Sequence, residues 1–162
     1  YISDYSNIKG SAIGLCRPKD DIEASIIIRV FYLIKMPYTI SAGKTNLTGS
    51  ATPMGGFVLS IDNLNNTKPI VSADTVTCSA STYLEEMRDE VLKQSKDKYY
   101  YPVDPTSRRE AMVGGTISCN ASGFVPGEKG ATRYWVESLE VLLLNGKLIK
   151  AKSRLESIIY IF

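Results

Sequence analysis

The chain has 162 residues, of which 44% are hydrophobic, and its 19 basic and 17 acidic residues give a formal net charge of +2. This length suits one ordinary domain or two small lobes that share a core, and the scattered charge gives no case for binding nucleic acid or an anionic membrane. The chain contains no histidine, which excludes a histidine-activated nucleophile, a histidine-ligated metal and an imidazole acid or base.

The cysteines and the apolar runs indicate in which cellular compartment the protein is expected. Cys16, Cys78 and Cys119 are far apart and form no C-x-x-C pair, so we interpret them as reduced thiols and predict no metal site. The most apolar run, residues 22–36, is too short to span a bilayer and contains two basic residues. The N-terminus does not have the pattern of a signal peptide. We therefore expect a cytoplasmic protein without a transmembrane segment.

Residues 1–65 predict a small βαβ lobe. Residues 12–18 form a short apolar segment that a proline ends, and residues 38–43 and 57–61 have the composition of strands. Residues 19–36 predict a helix between the first two strands, which would then be parallel. The apolar positions expected to form the buried face of this helix are Ile22, Ile26, Val30, Leu33 and Ile34.

Residues 66–162 predict a larger lobe of mixed or antiparallel strands with an added helix. The alternation in residues 70–80 predicts one strand or a pair. The next segment, 81–94, predicts a helix with Ser81 or Thr82 as its N-cap, acidic residues in the first turns and a basic end.

The last part of the chain predicts further β structure. A proline-bounded loop over residues 99–110 is followed by residues 111–123, which have a strand-like composition apart from their glycines. Residues 135–152 predict a hairpin, with Asn145-Gly146 as a type I′ turn. The predicted fold class is therefore α+β.

A glycine-rich loop follows the second strand of the βαβ lobe, at the strand end where such sheets bind ligands. Gly43 and Gly49 permit left-handed conformations, which can turn successive N–H groups inward around an anion. The side chains that would add donors are Lys44, Thr45, Asn46 and Thr48. The spacing matches neither a Walker A loop nor a Rossmann fingerprint. A phosphate-binding loop and an ordinary surface loop both remain open.

A second cluster of small residues lies between residues 111 and 123. Gly114-Gly115 and Gly123 flank threonine, serine and asparagine side chains, so an extended ligand could lie along this backbone. Close packing between the two lobes would also explain the glycines, although it would not explain the accompanying polar donors.

Several stretches together resemble a known family. Residues 41–65 (SAGKTNLTGSATPMGGFVLSIDNLN), 99–107 (YYYPVDPTS), 112–123 (MVGGTISCNASG) and 130–148 (GATRYWVESLEVLLLNGKL) resemble, in order and spacing, the FAD-binding domain of the vanillyl-alcohol oxidase/p-cresol methylhydroxylase (PCMH) type. The similarity is strongest to the FAD-linked glycolate oxidase and D-lactate dehydrogenase group. It implies an FAD-binding type 2 (PCMH-like) fold over residues 1–162.

The resemblance also implies the cofactor contacts. The residues expected around the FAD pyrophosphate are Ser41, Ala42, Gly43, Lys44, Thr45, Asn46 and Thr48. Those expected near the flavin are Pro102, Asp104, Val113, Gly114, Gly115, Ser118, Asn120 and Gly123. A histidyl-flavin linkage is impossible for a chain without histidine, so noncovalent FAD is expected.

The family resemblance implies an FAD-dependent oxidoreductase that oxidises a 2-hydroxy acid, such as glycolate or D-lactate, by hydride transfer to FAD. Members of the family continue with another flavin-contacting segment and a substrate-binding cap domain, and we expect this chain to be truncated before both. The catalytic base would lie there, so no catalytic side chain is assigned. Two alternatives remain. One is a nucleotide-binding or interaction module without turnover, and the other is a flavin-dependent reductase that uses nicotinamide and an enol substrate on the same type of domain.

Overall fold

The computed structural model describes residues 1–64 and 67–152. The chain divides into two compact units. The first comprises Tyr1–Asn65 and Glu140–Ile149, and the second comprises Asn66–Leu139 and Lys150–Phe162. Helices and strands occur together, which confirms the predicted mixed fold class. No helix within the described ranges is long and apolar enough to cross a membrane.

The first unit is built on a three-stranded parallel sheet. Its strands are β1 (Gly14–Cys16), β2 (Tyr38–Ser41) and β3 (Phe57–Ser60), in the spatial order β1-β3-β2. Helix α1 (Asp21–Leu33) connects β1 to β2. The predicted βαβ unit is therefore confirmed, with β3 inserted between its two strands.

Helix α1 begins at a local signal. Asp20 is the N-cap, and its carboxylate accepts a hydrogen bond from the backbone N–H of Glu23 at 2.8 Å. Such a cap satisfies one of the N–H groups that have no partner within the first turn. The acidic first turn that the sequence predicts, with Asp21 and Glu23, is present.

The buried face of α1 differs from the predicted one. Ala24, Ile28 and Phe31 are buried, and the Phe31 ring lies 5.2 Å from that of Phe57 and 5.4 Å from that of Tyr38. The residues expected to be buried are exposed, namely Ile22, Ile26, Val30, Leu33 and Ile34. The helix carries two apolar faces at the same spacing, and the aromatic contacts with the sheet decide which one is buried.

The second unit has its core around a helix. Strands β4 (Ile70–Ser72) and β5 (Thr75–Thr77) form an antiparallel pair, and helix α2 (Leu84–Ser95) follows. The strand pair and the helix confirm the predictions for residues 70–80 and 81–94. The buried core residues of this cluster are Leu84, Met87 and Val91, with Val71, Val76, Cys78, Tyr99, Tyr101 and Val113 partly buried against them.

The start of α2 is capped by tertiary contacts. The predicted side-chain caps are wrong, because Tyr83 occupies the N-cap position and makes no side-chain capping bond. The N–H of Leu84 donates to the carbonyl of Ala111 at 2.8 Å, and that of Glu85 donates to the carbonyl of Arg108 at 3.1 Å. A neighbouring loop therefore satisfies the N–H groups that a serine or threonine would otherwise satisfy.

The glycine-containing segment 111–123 is not a strand. Its central part is a short helix, α3 (Val113–Ser118). The N–H of Val113 donates to the carbonyl of Thr82, and that of Gly114 donates to the carbonyl of Ala80, each at 2.9 Å. These long-range bonds fix a helical turn where composition alone predicts β structure.

The remaining elements come after α3. Two 3-10 helices span Glu128–Gly130 and Thr132–Trp135, and β6 (Ser138–Leu142) pairs with β7 (Leu148–Lys152) in a two-stranded sheet. The predicted pair of strands in residues 135–152 is confirmed, although Trp135 belongs to the 3-10 helix.

The turn between β6 and β7 is not of type I′. That type needs positive φ at both central residues, whereas φ is positive at Gly146 (78°) and not at Asn145. The N–H of Gly146 donates to the carbonyl of Leu143 at 2.8 Å, and the N–H of Leu143 donates to the carbonyl of Lys147 at 2.9 Å. These bonds form a β-turn from Leu143 to Gly146 that ends on a left-handed glycine. A Cβ at Gly146 would lie 2.8 Å from the carbonyl oxygen of Ser25, so the packing of this turn also requires glycine.

Candidate functional site

The loop after β2 begins with an unsatisfied hydroxyl group. Ser41 is fully buried, and its Oγ is the one buried side-chain polar atom without a hydrogen-bond partner in residues 1–64 and 67–152. Ser60, which pairs with Ser41 in the sheet register, is equally buried, but its Oγ accepts a bond from the N–H of Asp62 at 3.4 Å. A buried hydroxyl without a partner costs about 1–3 kcal/mol, which points to a missing acceptor or donor beside Ser41.

The backbone of the loop is left-handed at two positions. Gly49 has a φ of 77°, as predicted, and a Cβ there would lie 2.8 Å from the Cδ1 of Ile8. Gly43 does not have positive φ, whereas its neighbour Lys44 does, at 56°. Positive φ is uncommon for a side chain of this kind, so surrounding contacts hold Lys44 in place.

Those contacts come from the N-terminal segment. The backbone N–H of Tyr5 donates to the carbonyl of Lys44 at 3.3 Å, and the Nζ of Lys44 lies 4.5 Å from the ring centroid of Tyr1. The Nδ2 of Asn46 donates to the carboxylate of Asp4 at 2.7 Å. The side chains of Lys44 and Asn46, predicted as donors to phosphate, thus have partners within the first unit.

None of the residues in this N-terminal segment was among the predicted cofactor contacts. The sequence contained a signal for local structure in this segment. An aspartate side chain commonly accepts a hydrogen bond from the backbone N–H two residues later and so forms a local turn. Asp4 indeed accepts bonds from both the N–H and the hydroxyl of Ser6.

The remaining predicted pyrophosphate residues belong to the same loop. Ala42, Gly43 and Thr45 are half-buried, and Thr48 is exposed. The structure thus gathers this predicted set within the first unit, at the end of a parallel strand.

The second predicted set lies in the second unit, where Asp104 is held by arginines. Its carboxylate accepts hydrogen bonds from Arg88 and, at 3.0 Å, from Arg108. The hydrogen bond from Arg88 is the main cause that lowers the pKa of Asp104, and the positive charge of Arg108 adds to it. Pro102 beside it is buried. The Asp104 carboxylate is therefore already paired within this unit.

Two of the predicted glycines are required by close packing. A Cβ at Gly123 would lie 2.2 Å from the carbonyl carbon and oxygen of Asp104, and one at Gly114 would lie 2.8 Å from the Cβ of Ala80. The N–H of Phe124 donates to the Asp104 carbonyl at 3.3 Å. The structure therefore brings Asp104 and Gly123 together. Close packing within the second unit explains why Gly114 and Gly123 are glycines.

The other residues of this set follow α3. Asn120 has a left-handed φ of 46°, and its Oδ1 accepts a bond from the N–H of Arg133 at 3.0 Å. Val113 and Gly115 are half-buried, and Ser118 is exposed. The amide oxygen of Asn120 thus has a structural partner, and a cofactor contact at these positions stays a prediction.

Solved structures share this fold. Glucooligosaccharide oxidase from Acremonium strictum, a protein with a 6-S-cysteinyl, 8α-N1-histidyl FAD, has a TM-score of 0.77 and 15% identity over 93% of this chain and 31% of its own. Xylooligosaccharide oxidase from Myceliophthora thermophila C1 has a TM-score of 0.74 and 16% identity over 93% of this chain and 32% of its own. The fold is therefore of the FAD-binding, PCMH-like class.

A family model described as an FAD binding domain matches residues 12–152. The chain belongs to this family of FAD-binding domains. The resemblance found in the sequence to an FAD-binding domain is confirmed by this match, and its similarity to glycolate oxidase and D-lactate dehydrogenase is confirmed by the relatives that follow.

The similar curated proteins include three with related names. Glycolate oxidase subunit GlcD of Bacillus subtilis is 29% identical over 85% of this chain and 29% of its own length. D-lactate dehydrogenase of Anaerostipes hadrus is 28% identical over 91% of this chain and 32% of its own length. Mitochondrial D-2-hydroxyglutarate dehydrogenase of Rattus norvegicus is 28% identical over 91% of this chain and 28% of its own length. The chain thus spans about 30% of the length of these relatives.

The residues of the first loop fit a phosphate-bearing cofactor. A buried hydroxyl without a partner lies at the C-terminal end of a parallel strand, and a half-buried run from Ala42 to Asn46 follows it. A hydroxyl and successive backbone N–H groups are donors that suit phosphate oxygens.

Proposed function

We propose that this chain is the FAD-binding part of a flavoenzyme that oxidises a 2-hydroxy acid such as glycolate or D-lactate. Membership of the FAD-binding family and the names of the relatives, all of them enzymes of 2-hydroxy acids, support the proposal. The flavin, when bound, supplies an acceptor at N5 for the hydride from the α-carbon of such an acid.

The unsatisfied Oγ of Ser41 is the observation that carries the cofactor part of this proposal. We assign it as a donor to the FAD pyrophosphate, together with backbone N–H groups of the loop that follows. The residues proposed for this contact are Ser41, Ala42, Gly43, Lys44, Thr45, Asn46 and Thr48. Lys44 and Asn46 already have partners in the N-terminal segment, so their main contribution is through the backbone.

The contacts near the flavin are proposed from the family resemblance alone. They are Pro102, Asp104, Val113, Gly114, Gly115, Ser118, Asn120 and Gly123. Because the carboxylate of Asp104 is paired with two arginines, its contribution would come from the backbone. No side chain is assigned as the catalytic base. We place that base and the acid-binding groups in a cap domain of a longer polypeptide.

We further propose that FAD is held noncovalently. The chain has no histidine for a histidyl linkage. Burial raises the pKa of the Cys78 thiol to about 11, which disfavours the nucleophilic thiolate at this one of the three cysteines. Denaturation of a loaded sample should therefore release free flavin into solution. Flavin that stays with the precipitated protein would contradict this part of the proposal.

The test of the proposal is an FAD titration of the purified chain. We expect saturable binding, measured as a change in flavin fluorescence and absorbance, with a stoichiometry of one. The same chain without any saturable response would contradict FAD binding and favour an interaction module without turnover.

A variant of Ser41 sharpens this test. Ser41→Ala should weaken FAD binding by about tenfold to a hundredfold, since a hydrogen bond to a charged group contributes about 1.5–3 kcal/mol. The stability of the FAD-free variant should stay equal or rise, because the mutation removes a buried hydroxyl that has no partner. Titration measures the FAD affinity, and thermal unfolding measures the stability of the FAD-free variant.

Ser60→Ala is the matched control for this experiment. Ser60 is equally buried on the neighbouring strand, but its Oγ already has a partner. We expect this variant to lose stability and to keep its FAD affinity. Equal affinity in wild type and Ser41→Ala would remove Ser41 from the site.

A further inference from the structure

A buried carboxylate accepts hydrogen bonds from the loop that follows β2. Asp4 is 8% exposed, and four donors surround its two oxygens. Oδ1 accepts the N–H of Ser6 at 2.9 Å and also the Ser6 hydroxyl. Oδ2 accepts the Nδ2 of Asn46 at 2.7 Å and the buried N–H of Ala51 at 3.3 Å.

These bonds fasten the loop at several points. A single oxygen of Asp4 joins Asn46, in the middle of the loop, to Ala51 at its end. The N–H of Tyr5 holds the carbonyl of left-handed Lys44 from the same segment. The conformation of the loop therefore depends on side-chain and backbone groups about forty residues earlier in the sequence.

The ionised form of Asp4 is the one that makes these contacts. The pKa of Asp4 is lowered to about 2, chiefly by the hydrogen bond from the Ser6 hydroxyl, and the bonds from Asn46 and Ala51 contribute to this lowering. At neutral pH the group is thus a carboxylate that only accepts hydrogen bonds. Its charge is directed to donors of the protein, so it can organise an anion-binding loop without facing the anion.

We infer that Asp4 is a positioning residue for the proposed FAD pyrophosphate loop, holding residues 44–51 in the conformation that binds. This inference rests on the proposed function and deepens it. Asp4 acts through Asn46 and the Ala51 N–H and makes no contact with the cofactor itself.

The experiment compares Asp4→Ala with the wild-type chain in two measurements. In the FAD-free protein, hydrogen exchange at the Ala51 amide should become at least about tenfold faster, because that N–H loses its acceptor. The Kd for FAD should rise by about tenfold, as expected when charge-assisted hydrogen bonds that preorganise a loop are removed. Asp74→Ala, which removes an exposed carboxylate in the turn between β4 and β5, should change neither quantity.

A double-mutant cycle with Asn46→Ala separates positioning from a general loss of stability. If Asp4 acts through Asn46, the effect of Asp4→Ala on the Kd should be several-fold smaller in the Asn46→Ala background. Effects that multiply independently would show that Asp4 does not act through this residue. If Asp4→Ala does not fold, Asp4→Asn, which preserves the size of the side chain, takes its place with the same expectations.

The outcomes distinguish this inference from the proposed function. A wild-type chain that does not bind FAD overturns the proposed function, and the role of Asp4 with it. A wild-type chain that binds FAD, with an unchanged Kd in the variant, overturns the role of Asp4 alone. Faster exchange at Ala51 together with a raised Kd supports it.

Discussion

Some glycines in the second unit are required because the surrounding atoms leave no room for a side chain. The nearest backbone atoms of Asp104 leave no room for a side chain at Gly123, where φ is not positive. Steric exclusion, and not conformational freedom, therefore explains this glycine. The small-residue pattern predicts a close approach to the main chain, and the structure shows that the approaching group is another part of the protein.

Gly123→Ala should destabilise the folded chain by about 1–3 kcal/mol, because the added methyl group must displace the backbone of Asp104. Chemical denaturation measures this loss. The neighbouring substitution Ser122→Ala, at an exposed side chain, should stay within about 0.5 kcal/mol of wild type. Equal stability of the two variants would show that the backbone at this position can move without cost.

At the scale of elements, α1 shows why periodicity does not determine orientation. Its sequence carries apolar side chains almost all round, so a stripe of helical spacing exists on both faces. The face with Ala24, Ile28 and Phe31 packs inward because Phe31 fits against two aromatic rings of the sheet. The other stripe is left exposed in the first unit.

Substitutions on the two faces of α1 should therefore differ. Ile28→Ala should cost about 2–5 kcal/mol, since it removes a buried side chain and leaves a cavity. Ile26→Gln should change the stability of this chain by no more than about 0.5 kcal/mol, since Ile26 is 59% exposed. Thermal and denaturant unfolding of the two variants measure this difference, and a larger loss for Ile26→Gln would show that the outer face is packed in solution.

For the molecule as a whole, the titratable groups predict how stability depends on pH. Because the chain has no histidine, no imidazole titrates near neutral pH. The carboxylates of Asp4 and Asp104 have lowered pKa values, chiefly through hydrogen bonds from Ser6 and Arg88, with that of Asp4 near 2. Their contribution to stability is complete above about pH 4 and is lost as the pH falls toward the folded-state pKa.

We therefore expect the Tm to change little between about pH 5 and 8 and to fall steadily between about pH 4 and 2. Differential scanning calorimetry across this range measures both parts of the curve. Asp4→Asn should flatten the acid limb, whereas Asp74→Asn, at an exposed position, should leave it unchanged. A Tm that rises on acidification would contradict this account.

The sequence was sufficient for most elements that depend on neighbouring residues or on a motif, although the type I′ turn and the side-chain caps of α2 were predicted wrongly. The βαβ order, the β4–β5 strands, helix α2 and the loop after β2 were predicted, because apolar periodicity and glycine spacing act over a few positions. The family also followed from the sequence, since its motifs recur in order along the chain.

The tertiary structure decided what depends on distant partners. Phe57 and Tyr38 select the buried face of α1, and the carbonyls of Ala80 and Thr82 turn an expected strand into helix α3. In the same way, only the fold shows that the hydroxyl of Ser41 is buried without a partner. Local composition cannot specify these features, because the atoms that satisfy or exclude each group come from residues that are remote in the chain.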